Sequence, residues 1–167
     1  TRKQRPGEIN GVDYFFISQE EFDEMIRGNK FLEWAKVHDN YYGTPSDFVF
    51  KHMDDGNDVI LDIDVQGALN VKKNFDGAKF VFIAPPSYQT LGERLKRRGT
   101  ETEEKIQRRL ETARKEIKYI PEFEYLIINE DLESSITNLI SIIYAERLKF
   151  DKLKETDKVR NLLKEVQ

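Results

Sequence analysis

The 167-residue chain is predicted to be an α/β protein: a parallel-sheet core preceded by a small mixed subdomain. Three observations carry that expectation. Short apolar runs rich in β-branched residues alternate with segments of helical spacing from Asp58 onward. Continuous apolar strands between helices are the mark of a parallel sheet covered on both faces. The first 57 residues follow a different rhythm, punctuated by Gly7, Gly11, Gly28, Gly43 and Gly56.

In chain order, Tyr14-Phe15-Phe16-Ile17 and Phe31-Leu32-Glu33-Trp34-Ala35 read as short strands. Between them Ser18-x-x-Glu21 forms a capping box that opens a helix with Phe22, Met25 and Ile26 inward. Val59 to Val65 reads as a buried strand and Gln66 to Phe75 as a helix. Lys79 to Ala84 is a second buried strand, closed by Pro85-Pro86. Ser87 caps a helix running to about Arg97. A polar stretch from Arg97 to Glu104 leads into a helix from about Thr102 to Tyr119, striped by Ile106, Leu110, Ala113 and Ile117. Tyr125 to Asn129 is a third strand. Leu132, Ile136, Leu139, Ile140 and Ile143 stripe a long last helix, after which Asp151 to Gln167 is mostly charged and extends it or frays.

Composition narrows the function classes. Lysine and arginine number 27 against 31 acids, a net charge of −4, which argues against a nucleic-acid polymer as partner. The absence of cysteine excludes disulfides, thiolate metal sites and cysteine nucleophiles. His38 and His52 are the only histidines, so no histidine-rich metal site is expected and neither is given a role. No apolar run reaches the roughly 20 residues that span a bilayer, and no signal peptide is visible. The expectation is a cytoplasmic protein without a membrane partner.

Four constellations bear on chemistry. Arg2, Lys3 and Arg5 precede a rigid Pro6-Gly7, and guanidinium groups bind phosphate or carboxylate bidentately. Tyr14, Tyr41 and Tyr42 offer hydroxyls to the same anion; the plainer alternative is a solvated basic segment. Glu33 sits among apolar residues, where a carboxylate is costly without a partner. Its two acceptor oxygens suit adjacent N–H donors such as the Watson–Crick edge of guanine, with Thr44 beside it. Alternation alone leaves it equally able to face solvent on an edge strand. Asp62 and Asp64, two apart, leave one face of their expected strand at its carboxyl end, where ligands of such sheets sit. Arg94 and Arg98 share a helix face, with Arg97, Arg108 and Arg109 near in sequence. Arginines on a mobile flap neutralise a transferring phosphoryl group, although Glu93, Glu101, Glu103 and Glu104 equally suit ordinary surface ion pairs.

Seven pieces then coincide, in order and spacing, with one family. They are Thr1 to Glu8, Gly11 to Phe16, Phe31 to Ala35, Asn40 to Thr44, Leu61 to Gly67, Ala84 to Ser87 and Arg98 to Glu104. Together they resemble bacterial guanylate kinase, from Thr1 to about Ile143. The resemblance implies a P-loop NTPase-like fold with a GMP-binding subdomain over 1–57, a core over 58–93 and 119–167, and a helical lid over 94–118. It implies transfer of the ATP γ-phosphoryl group to GMP with Mg²⁺, by a monomer or homodimer. By position it assigns Arg2, Arg5, Tyr14 and Tyr42 to the GMP phosphate and Glu33 and Thr44 to guanine. Asp62 and Asp64 fall near the acceptor nucleotide and a metal-linked water. Arg94, Arg98 and Arg109 become the lid arginines, with Asp64 in the catalytic set, and Asn129 lines the adenine pocket. No residue is assigned as a direct protein ligand of a metal.

One departure stands out. Nothing in the chain matches the glycine-rich loop ending in Gly-Lys-Ser/Thr. The family carries that loop, with the first strand of the sheet, ahead of the segment matching Thr1. The expectation is therefore that these 167 residues do not by themselves run the whole reaction. The alternative reading is a non-catalytic module that binds phosphopeptides through the old GMP site; another base specificity would turn on Glu33.

Overall fold

A computed structural model describes residues 1–37, 39–97, 102–154 and 156–165. They form two compact units, Thr1–Lys79 and Phe80–Gln167.

In the first unit, α1 (Gln19–Arg27) starts at the expected capping box: Ser18 Oγ accepts from the Glu21 N–H, and the Glu21 carboxylate accepts from the Ser18 N–H. Phe22 is its buried anchor. Strands β1 (Phe31–Val37) and β2 (Asn40–Pro45) pair antiparallel, with Glu33 opposite Thr44 and Ala35 opposite Tyr42. Phe22, Phe31, Trp34 and Tyr41 form an aromatic cluster, with the rings of Phe22 and Phe31 4.5 Å apart and those of Trp34 and Tyr41 6.1 Å apart. Gly43 is required in β2 because a Cβ there would stand 2.8 Å from the Phe31 ring. Helix α2 (Ser46–Asp54) follows directly, and α3 (Val65–Asn74) packs against β1 through the buried Gly67, Ala68 and Val71. Glu33 and Ala35 are the buried residues of β1.

Two expected strands are absent. Residues 14–17 contribute only an isolated bridge between Asn10 and Tyr14. The reason is local: the Tyr14 carbonyl accepts from the Gly11 N–H, and the Phe16 N–H goes to the Asn10 side chain, so a strand ladder has lost its partners. Residues 59–65 also join no ladder with a described strand. Val59, Leu61 and Ile63 are half-buried while Ile60 and Asp62 are exposed, so the period-two alternation survives without sheet hydrogen bonding.

In the second unit, β3 (Val81–Ala84) and β4 (Tyr125–Ile128) pair parallel, from Val81 opposite Tyr125 to Ala84 opposite Ile128. The crossover between them holds α4 (Tyr88–Arg97), α5 (Glu103–Glu116) and a 3-10 turn over Ile117–Glu122. Helices α4 and α5 pack through Leu95, Ile106 and Leu110, with Leu91 at the margin. Phe82 meets Phe123 edge-on at 5.1 Å. Helix α6 (Leu132–Arg147) packs on β4, and the Tyr125 hydroxyl donates to Glu146. The charged tail does not continue α6; it forms α7 (Phe150–Leu153) and α8 (Asp157–Lys164). No described helix is long and apolar enough to cross a membrane.

Candidate functional site

The β1–β2 register decides between the two readings of Glu33. Because Glu33 lies opposite Thr44, the threonine hydroxyl reaches across and donates to Glu33 Oε1 at 2.7 Å. Helix α3 covers that face, and Glu33 is 6% exposed. Burial pushes its carboxyl above the ordinary range; the Thr44 hydroxyl pulls the other way, and the Asp64 charge adds to the rise. A buried acceptor pair of this kind is an expensive feature that a ligand with N–H donors would satisfy. Glu33 also lines a cleft of about 490 Å³ together with Trp34, Lys36, Gln66, Asn70 and Asn74.

The segment expected to carry Asp62 and Asp64 as a strand joins no ladder with a described strand. Asp62 is exposed. Asp64 is the N-cap of α3, its Oδ1 accepting from the Gly67 N–H at 2.8 Å.

The basic cluster is organised by a residue to which sequence reasoning gave no role. Glu8 Oε2 accepts from Arg2 Nη1 at 2.7 Å and from the Arg5 backbone N–H at 2.7 Å, and Glu8 Oε1 pairs with Arg2 Nη2. The turn that folds Glu8 back uses Gly7 at φ +90°, a conformation open to glycine, and a Glu8 N–H bond to the Arg5 carbonyl. This double pairing holds Glu8 down to a pKa of about 2 and raises that of Arg2, which the Tyr42 hydroxyl also supports. The Arg2 guanidinium lies 5.1 Å from the Tyr14 ring centre, and the Tyr14 and Tyr42 rings meet edge-on at 6.2 Å. Arg2, Tyr14 and Tyr42 are thus brought together, while the Arg5 side chain is exposed. Pro6-Gly7 followed by an acid was the available signal, since a turn there returns the carboxylate to the arginines.

In the second unit, Arg94 and Asn129 line a cavity of about 200 Å³ with Ala84, Pro85, Leu91 and Leu95. Arg94 Nη2 donates to the Glu130 carbonyl at 2.9 Å, and the Asn129 N–H donates to the Ala84 carbonyl at 2.7 Å. Arg109 is half-buried on α5. Arg98 and the Arg98–Glu101 part of the expected flap lie outside the described residues, as does His38. Among the described residues no group of three or more histidine, aspartate or glutamate side chains gathers to hold a metal.

Comparison with known proteins points to one family. The family model for guanylate kinase matches residues 1–146. The chain is 48% identical over 155 residues to a guanylate kinase of Caldanaerobacter subterraneus, covering 93% of this chain and 75% of that one. It is 46% identical over all 167 residues to a guanylate kinase of Thermotoga maritima, covering 80% of the relative. The crystal structure of guanylate kinase from Anaplasma phagocytophilum superposes with a TM-score of 0.76 at 32% identity, over 95% of this chain and 81% of that one.

Proposed function

Since the chain belongs to the guanylate kinase family, and so to the ATP:GMP phosphotransferases, we propose the following division of labour among its residues. Glu33 accepts from the two adjacent N–H groups of guanine, with Thr44 fixing its other side. Arg2, Arg5, Tyr14 and Tyr42 hold the GMP phosphate, and Asp62 and Asp64 lie beside the acceptor nucleotide. Asn129 lines the adenine pocket, and Arg94, Arg98 and Arg109 neutralise the ATP phosphates. Residues 1–57 act as the GMP-binding part and 94–118 as a lid on the core of 58–93 and 119–167.

The chemistry asks little of covalent catalysis. An oxygen of the GMP phosphate attacks the γ-phosphorus in line, and the bond to the ADP oxygen breaks. Positioning and charge neutralisation supply the acceleration. A Mg²⁺ bound with ATP would supply neutralisation of the phosphate charge. Such an ion would be held by phosphate oxygens and water, with Asp62 and Asp64 near a metal-linked water and not bound to the ion directly.

The observation that carries this reading is the buried Glu33 carboxylate with a single hydroxyl donor on Oε1, an acceptor shaped for a purine bearing paired N–H groups. Kinship with named kinases favours phosphotransfer over a phosphopeptide-binding module. The test is ADP release by the full-length protein with ATP, Mg²⁺ and either GMP or AMP. Release that depends on GMP is expected; equal release with AMP would overturn the assignment.

A further inference from the structure

We propose that Gly67 is a positioning residue: its missing side chain is the space in which Glu33 presents its carboxylate. The inference rests on the reading of Glu33 as the guanine acceptor. Gly67 lies in the first turn of α3, and no positive φ requires glycine there. Alanine would be the better helix former at such a site. What excludes it is room: a Cβ at position 67 would stand 2.7 Å from Glu33 Oε2, 3.4 Å from Glu33 Cδ and 3.3 Å from Asp64 Oδ1. The first distance is well inside van der Waals contact.

Retreat of the carboxylate would disturb the bond it already makes. Glu33 is buried, and Oε1 is tied to the Thr44 hydroxyl, so a methyl pressing on Oε2 would turn the group about that bond or break it. The same methyl crowds the Asp64 oxygen that accepts from the Gly67 N–H. Glycine here lets two carboxylates and a helix backbone share one corner, and it sets the plane in which Glu33 faces a base.

The experiment compares Gly67→Ala, Glu33→Gln and the double variant of the full-length protein. Calorimetry gives the Kd for GMP and for inosine monophosphate, which lacks the 2-amino group. Steady-state assays give KM and kcat, and thermal unfolding reports stability. Gly67→Ala is expected to raise the Kd and KM for GMP by about tenfold to a hundredfold, the range of one lost bond to a charged group. It should narrow the preference for GMP over inosine monophosphate and leave kcat at saturating GMP unchanged. In the Glu33→Gln background it should add almost nothing, because the interaction it disturbs is already gone.

Unchanged GMP affinity in Gly67→Ala, with Glu33→Gln impaired, overturns the role of Gly67 and leaves Glu33 in place. Equal losses in both backgrounds overturn it as well, since they mark a structural effect alone. Undiminished base preference in Glu33→Gln would instead remove the reading on which the inference stands. Should Gly67→Ala fold poorly, adding Glu33→Asp, whose carboxylate is one methylene shorter, should restore folding; failure of that rescue also counts against the proposal.

Discussion

Replacing Thr44 by valine swaps a hydroxyl for a methyl of nearly the same size, so it isolates one hydrogen bond. The bond lost is the 2.7 Å contact to Glu33 Oε1, made to a carboxylate that is 6% exposed. A bond to a charged group contributes about 1.5–3 kcal/mol. That loss falls on stability, because the buried Glu33 carboxyl has one donor fewer. It also falls on GMP, because the acceptor is no longer held in place; about tenfold weaker binding is expected. The pH dependence sharpens the test. Burial already raises the Glu33 pKa from the ordinary 4.5, and the Thr44 hydroxyl opposes that rise. Thr44→Val therefore moves it further up. A raised carboxyl stabilises the folded state below its ordinary range, and that stabilisation is lost as pH rises through the folded value. Acid should thus narrow the stability gap between variant and wild type. GMP binding needs the ionised form, so its decline on acidification should begin at higher pH in Thr44→Val. Calorimetric titration with GMP over a pH series from neutral into acid measures the binding effect, and thermal unfolding over the same series measures the stability gap. Unchanged affinity with an unmoved pH profile would refute the reasoning.

Three other perturbations follow from the same coordinates. Leu110→Ala empties part of the Leu95–Ile106–Leu110 cluster between α4 and α5 and should cost about 2–5 kcal/mol in denaturant unfolding. Arg2→Ala should weaken GMP at least about tenfold while leaving guanosine, which has no phosphate, bound as before; calorimetry with both ligands separates the two. Glu8, held down to about 2, contributes stability that is present above the ordinary 4.5 and lost as pH falls through about 2. Melting temperatures of Glu8→Gln and wild type should therefore converge as acid is added across that window.

Much of the fold was legible because its signals are local. The capping box fixed the start of α1 at Ser18, and the stripe of Ile106 and Leu110 located α5 within a few residues. The parallel pair β3 and β4 was announced by two dense apolar runs. What escaped depends on partners distant in sequence. Strand β2 is Asn-Tyr-Tyr-Gly-Thr-Pro, without apolar alternation, and exists because β1 lies beside it. Helix α2 follows Pro45 with no side-chain cap to announce its start. The face of Glu33 could not be chosen until α3 was seen to cover it. Asp64 looked like one half of a strand-end pair, yet its nearest partner is the backbone of the helix it caps. Glu8 stood in plain view, but only the turn at Gly7 returns it to Arg2.

The Arg2–Glu8 pair has an electrostatic corollary. Arg2 is neutralised before any nucleotide arrives, so it contributes little long-range pull on a passing anion. A phosphate bound at Arg2, as proposed, would share or exchange with a resident carboxylate instead of filling a bare positive hole. Selection at this position is then a contest between two anions at contact distance. The winner is the one that also reaches the tyrosine hydroxyls, which makes shape count for more than charge.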